Sequence, residues 1–278
     1  MEKEITKEKT NITPKETKTL HNAQKHATSQ KKSKGSKKKT FFFALSLVIW
    51  IAASLIASQF LIVYLLYFTI GKEQLSTPVW TTVANALVYS LTLLLSVVVP
   101  AKIFRKKTRA NWKTGREELG LRDLPTWTDL GLAPAGFIVY LILASILISI
   151  FSVFPFFDPN EAQETGYHFL NSGLDRTVAF LALCVIAPIV EEIIFRGFLY
   201  GKLRGKISGK GSMVISILIT SILFGILHGQ WNVGVSVFAM SIVLCGLREI
   251  TGTIYAGIML HIIKNTVAFI LLYILNYQ

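Results

Sequence analysis

Charge, cysteine and strand-like alternation are what this sequence is short of. Asp, Glu, Lys and Arg make up only 16% of its 278 residues, against 52% hydrophobic. Beyond the first forty positions there is too little polar material to cover a water-soluble surface. Only two cysteines occur, Cys184 and Cys245, both within apolar stretches. That excludes a disulfide framework and a zinc knuckle and leaves both as small packing residues. No stretch alternates apolar and polar residues with period two, which excludes a transmembrane β-barrel. Nor is there an internal repeat of fixed period.

What the chain does have is long apolar runs, and its mean hydropathy is +0.51. About 18 or more apolar residues with few charges read as a membrane span. Seven such runs follow one another: Phe41–Ile70, Thr81–Phe104, Leu130–Phe154, Thr177–Leu199, Met213–His228, Val233–Leu247 and Thr253–Leu275. The fold class is therefore all-α, a polytopic helical membrane protein with about seven transmembrane helices, or eight if one run is split. The first run would be about 45 Å long as a helix, against a hydrocarbon core of about 30 Å, so it must tilt, kink or protrude.

The first forty residues are different in kind. They hold twelve lysines and four glutamates and few apolar residues, a composition that buries no core and is expected to be disordered. A basic run from Lys31 to Lys39 abuts the first span. Such juxtamembrane clusters fix orientation and touch anionic lipid, so lipid rather than nucleic acid is the expected partner. With this tail placed inside and the spans alternating, 25 of the 29 Lys and Arg fall on the inner side and only Lys72 and Arg176 outside. The asymmetry predicts a multi-pass cell-membrane protein with a cytoplasmic N-terminus. The chain divides into the tail (1–40), N-terminal helices and loops (41–174) and a helical core (175–278).

That core carries polar residues where a bilayer penalises them by roughly 2.5–3.5 kcal/mol each, which marks them as partnered and functional. Glu191 and Glu192 are adjacent, and Arg196 follows Glu192 by four. On a helix, residues four apart share a face while neighbours diverge by about 100°. Glu192 therefore neutralises Arg196, and Glu191 is left available as a general base. His261 and Asn265 are also four apart, and a histidine and an amide on one face can orient a water and stabilise an oxyanion. His228 comes from another span. Gly197, Gly201 and Gly205, at four-residue spacing, read as close-packing positions.

Three stretches, Glu191-Glu192-Ile193-Ile194-Phe195-Arg196, Phe224-Gly225-Ile226-Leu227-His228 and His261-Ile262-Ile263-Lys264-Asn265, lie in order on separate spans. In this the chain resembles the CPBP intramembrane proteases, the group containing the Rce1-type CAAX prenyl endopeptidases and bacterial immunity-associated homologues. The resemblance covers residues 178 to 268. It implies a four-helix catalytic core in which Glu191 activates water, with His228, His261 and Asn265 around it and Glu192, Arg196 and Phe224 in support.

Members of the group have been described both as metalloproteases and as glutamate-type proteases. The chain lacks His-Glu-x-x-His, although Glu191, His228 and His261 could supply three ligands of an open Zn2+ site. The glutamate–water mechanism is the preferred reading, with Asn265 and a histidine stabilising the oxyanion. The expected substrate is a membrane-associated protein or peptide, in a bacterial setting of peptide or bacteriocin processing or immunity. A non-catalytic membrane scaffold or regulatory partner, and a proton-coupled transporter, stay open as alternatives.

One count does not fit. Measured from the inner-side charges Lys202 and Lys210, His228 lies about seven residues farther out than Glu191, or about 10 Å at ~1.5 Å per residue.

Overall fold

The structure is a computed structural model that describes residues 14–102, 115–122, 124–167 and 170–275, with side chains from residue 38 onward. Seven helical elements run through the described residues. They are α1 (Pro14–Leu75), α2 (Pro78–Leu93, continued by a π-helical turn Leu94–Val98), α3 (Trp127–Phe151), α4 (Gly173–Lys206), α5 (Ser212–Ile226), α6 (Trp231–Thr251) and α7 (Tyr255–Phe269, continued by a π-helical turn Ile270–Ile274). Six are long and apolar enough to cross a membrane, and α5 is a shorter apolar helix. They match the seven expected runs.

The chain falls into two units, Met1–Ser46 and Leu47–Gln278. In the first, the ammonium of Lys38 lies over the ring of Phe42 at 6.0 Å. Of the expected disordered tail, residues 1–13 lie outside the described residues, and the backbone of 14–40 is the start of α1. A helix needs no core of its own: Lys, Glu, Gln and Ala are good helix formers, and a helix already nucleated extends at low cost. The apolar length of α1, Lys38–Leu75, exceeds a bilayer core, and its helical geometry is broken one turn from its end at Gly71 (φ 83°).

Within the second unit, α6 packs against α5 and α3, and α7 against α3, α6 and the early turns of α4. Two helix starts are written into the sequence as reciprocal capping boxes: Thr126 with Asp129 for α3, and Ser172 with Asp175 for α4. In each, the hydroxyl accepts the third amide and the carboxylate accepts the cap amide. Asp129 also accepts from the Thr253 hydroxyl at 3.1 Å, tying α3 to the turn between α6 and α7. The crossing of α5 and α6 depends on a glycine pair, since a β-carbon on Gly225 would sit 2.9 Å from the Gly234 carbonyl oxygen.

Two connections hold the ends of the bundle. The segment after α3 lies against the start of α6: Gln230 bonds the Ala162 carbonyl at 2.9 Å and the Glu164 amide at 2.8 Å. At the other end, residues 115–122 lie along α4. A β-carbon on Gly197 would meet the Leu119 carbonyl oxygen at 2.9 Å and one on Gly201 the Glu118 carbonyl oxygen at 3.3 Å, whereas Gly205 faces open space. Two of the three spaced glycines are close-packing positions, against a loop rather than a helix. Cys184 and Cys245 are buried and unpaired, as small packing residues should be.

Candidate active site

The two glutamates occupy a short α-helical stretch of α4, Ala187–Glu192, between π-helical stretches at Leu181–Ile186 and Ile193–Tyr200. π-turns break the regular ladder and are frequent at functional sites. Here a proline makes the consequence specific. In the first π stretch Ala187 donates to the Ala182 carbonyl, five residues back. The next such bond would run from residue 188 to Leu183, but Pro188 has no N–H. The Leu183 carbonyl instead accepts from the Asn265 side-chain amide at 2.8 Å.

Glu192 is fully buried and held on both sides. Its Oε1 accepts from Nη1 of Arg196 at 2.8 Å and from Nδ1 of His261 at 3.0 Å. Arg196 is fully buried too, its guanidinium 4.4 Å from the centre of the Phe224 ring. The other oxygen, Oε2, has no hydrogen-bond partner among the described residues and lies where Gly257 of α7 lacks a side chain; a β-carbon there would be 3.1 Å away.

Glu191 diverges as helical geometry requires. Its Oε1 accepts from the Tyr89 hydroxyl of α2 at 3.0 Å, and its Oε2 lies 3.7 Å from Nε2 of His261. Its side chain keeps 17% of its exposure and lines a cavity of about 260 Å³. His228 lines the same cavity, together with Phe224, Phe195 and Tyr89. It sits in the turn after α5, with Nδ1 2.7 Å from the Phe224 carbonyl and its ring edge-on to Phe224 at 4.9 Å.

The hydrogen bonds assign the imidazole protons. A carbonyl only accepts, so His228 carries a proton on Nδ1 and turns Nε2 to its other surroundings. Glu192, paired with a guanidinium, is likewise an acceptor, so His261 donates from Nδ1 and presents Nε2 towards Glu191.

Of the site residues expected from sequence, Glu191 and His228 share the cavity, and His261 stands between the two carboxylates, bonded to Glu192 and 3.7 Å from Glu191. Glu192, Arg196 and Phe224 form the buried support beneath them. Asn265 is not brought to the cavity. It shares a face of α7 with His261, as the spacing predicts, but its amide serves the Leu183 carbonyl, and it lines a separate cavity of about 60 Å³ with Lys264, Thr165 and Tyr273.

The depth mismatch also resolves. α4 continues to Lys206 and α5 starts at Ser212, so Glu191 is about 15 residues from one helix end and His228 about 16 from the other, roughly 22–24 Å each. Lys202 and Arg204 do not mark the end of a helix. They are helical residues whose charges pair with Glu118 at 3.0 Å and Glu249 at 2.9 Å.

The same donors decide whether a Zn2+ ion could be held here. Among the described residues no three His, Cys, Asp or Glu are gathered as a metal ion requires. Glu191, His228 and His261 are therefore not gathered as a Zn2+ set in this geometry.

Sequence reasoning missed the wall opposite Glu191. Gln59 of α1 and Asn85, Tyr89 and Thr92 of α2 line the cavity. The signal was present: polar residues spaced four and three apart in an apolar run share one helix face.

Fold and site together define an integral membrane protein whose polar residues are drawn inside a helical bundle around a cavity. Residues 173–267 match the family described as type II CAAX prenyl endopeptidase Rce1-like. The matched segment carries all three motifs and excludes α1, α2 and α3. No curated protein and no solved structure gives a significant match.

Proposed function

We propose that the protein is an intramembrane endopeptidase that hydrolyses a peptide bond of a membrane-associated protein or peptide with water activated by Glu191. The observation that carries this reading is the 3.7 Å separation between Glu191 Oε2 and His261 Nε2. Both atoms accept hydrogen bonds, and a water about 2.8 Å from each would donate one proton to either. Glu191 takes the first proton as the water oxygen attacks the carbonyl carbon, and His261 fixes the direction of attack. As the C–N bond breaks, the proton held by Glu191 passes to the departing amine, relayed through Nε2 of His228, whose transient positive charge stabilises the oxyanion. The buried Glu192–Arg196 pair holds His261 in its tautomer.

A tail inside the cell and a substrate that is a small processed or toxic peptide are the settings we favour, on the charge asymmetry and the family resemblance. The test is purified full-length protein in lipid nanodiscs, incubated with a library of quenched-fluorescence apolar peptides beside Glu191→Gln. Cleavage by the wild type and none by the variant is expected. If neither cleaves any member, the membrane scaffold becomes the better reading.

A further inference from the structure

We propose that Tyr89 is a positioning residue of this site, one that holds Glu191 Oε1 so that Oε2 is presented to water and to His261. The inference rests on the peptidase reading for what the carboxylate does, but the geometry is independent of it. Tyr89 lies on α2, outside the segment that matches the family, so nothing in the three motifs assigns it a task.

Three observations converge on it. The hydroxyl donates to Oε1 at 3.0 Å, the only hydrogen bond to Glu191 from a side chain among the described residues. It approaches from the cavity wall facing α4, so it limits rotation of a carboxylate otherwise free to turn in a space of about 260 Å³. It engages one oxygen while His261 faces the other, which gives the two oxygens separate surroundings.

A general base loses rate steeply when misplaced, because an error of about 1 Å can cost roughly 100-fold. Glu191 sits between a flexible side-chain torsion and an open cavity, and among the described residues no backbone group or arginine fixes it as Arg196 fixes Glu192. The tyrosine supplies that restraint from a second helix. The bland alternative is a phenol satisfied by the nearest acceptor, with no effect on the carboxylate. The two readings differ in what Glu191 does when the hydroxyl is removed.

Tyr89→Phe keeps the ring and deletes only the hydroxyl. Full-length protein labelled with 13C at the glutamate carboxyl carbons is placed in micelles, and the Glu191 resonance is assigned by its disappearance in Glu191→Gln. Tyr89→Phe is expected to shift that resonance and leave the other carboxyl signals in place. Ser90→Ala, on the same helix with its hydroxyl bonded to the Ala86 carbonyl, is expected to shift none. On a peptide that the wild type cleaves, Tyr89→Phe should lower kcat about tenfold or more with KM unchanged.

An unmoved resonance overturns the proposal, and so does a moved resonance with unchanged kcat. If the wild type cleaves nothing, the peptidase reading fails by that assay. The resonance then decides by itself whether Tyr89 holds the carboxylate.

Discussion

Two carboxylates one residue apart inhabit opposite environments. Glu192 is sealed: it is fully buried, bound to a guanidinium and an imidazole, and closed in by α7 at Gly257. Glu191 is open: one oxygen is held by a tyrosine, the other faces a histidine it does not touch, and the side chain borders a cavity. An ion pair without water is weak evidence for stability but costly to break, whereas a carboxylate that borders a cavity is open to approach from that side. The 100° between neighbouring helical positions is enough to place identical side chains in a sealed and an open environment, with His261 between them.

The contrast can be broken from either side, and the largest effect is expected on the open side. Glu191→Gln keeps the shape and removes the base, and should lower peptide cleavage by about 100- to 10,000-fold with yield and folding nearly unchanged, as initial rates and size-exclusion profiles will read. On the sealed side, Glu192→Gln leaves the Arg196 charge uncompensated in the bundle interior. Its expected cost is roughly 3–5 kcal/mol of stability, visible as a lower yield of folded protein.

Asn265→Ala should cost less, about 1–3 kcal/mol for an unsatisfied carbonyl. Combining it with Pro188→Ala should recover part of that loss, because an alanine at 188 brings back the amide that Leu183 lacks. Thermal unfolding of the two single variants and the double variant reads the coupling. A catalytic Asn265 would show no such recovery. The smallest effect is expected from chelators: o-phenanthroline should leave the cleavage rate unchanged, since neither carboxylate shares a metal-type donor set with the histidines.

How much of this was legible beforehand follows from what is local. The helices were, because hydropathy over about twenty residues is a property of contiguous sequence. That Glu191 and Glu192 point into different surroundings was legible for the same reason, as a matter of helical angle alone. Asn265 was misplaced because its partner depends on a change of helical pitch: Pro188 announces a missing donor, but only the π-turn decides that Leu183 is the carbonyl left over. Asn85, Tyr89 and Thr92 mark a polar face of α2, but the bond from Tyr89 to Glu191 spans about a hundred residues of sequence, and no periodicity names that partner. The depth of Glu191 was misjudged because Lys202 looks like a membrane boundary until its partner Glu118 is seen.

The central claim is the division of labour between the neighbouring glutamates, and thermal unfolding of the wild type, Glu191→Gln and Glu192→Gln at one pH and in one detergent tests it most directly. At roughly 2–4 °C per kcal/mol for a chain of this size, Glu192→Gln should melt about 6–20 °C below the wild type, and Glu191→Gln within about 3 °C of it. Equal losses in the two variants would contradict the account.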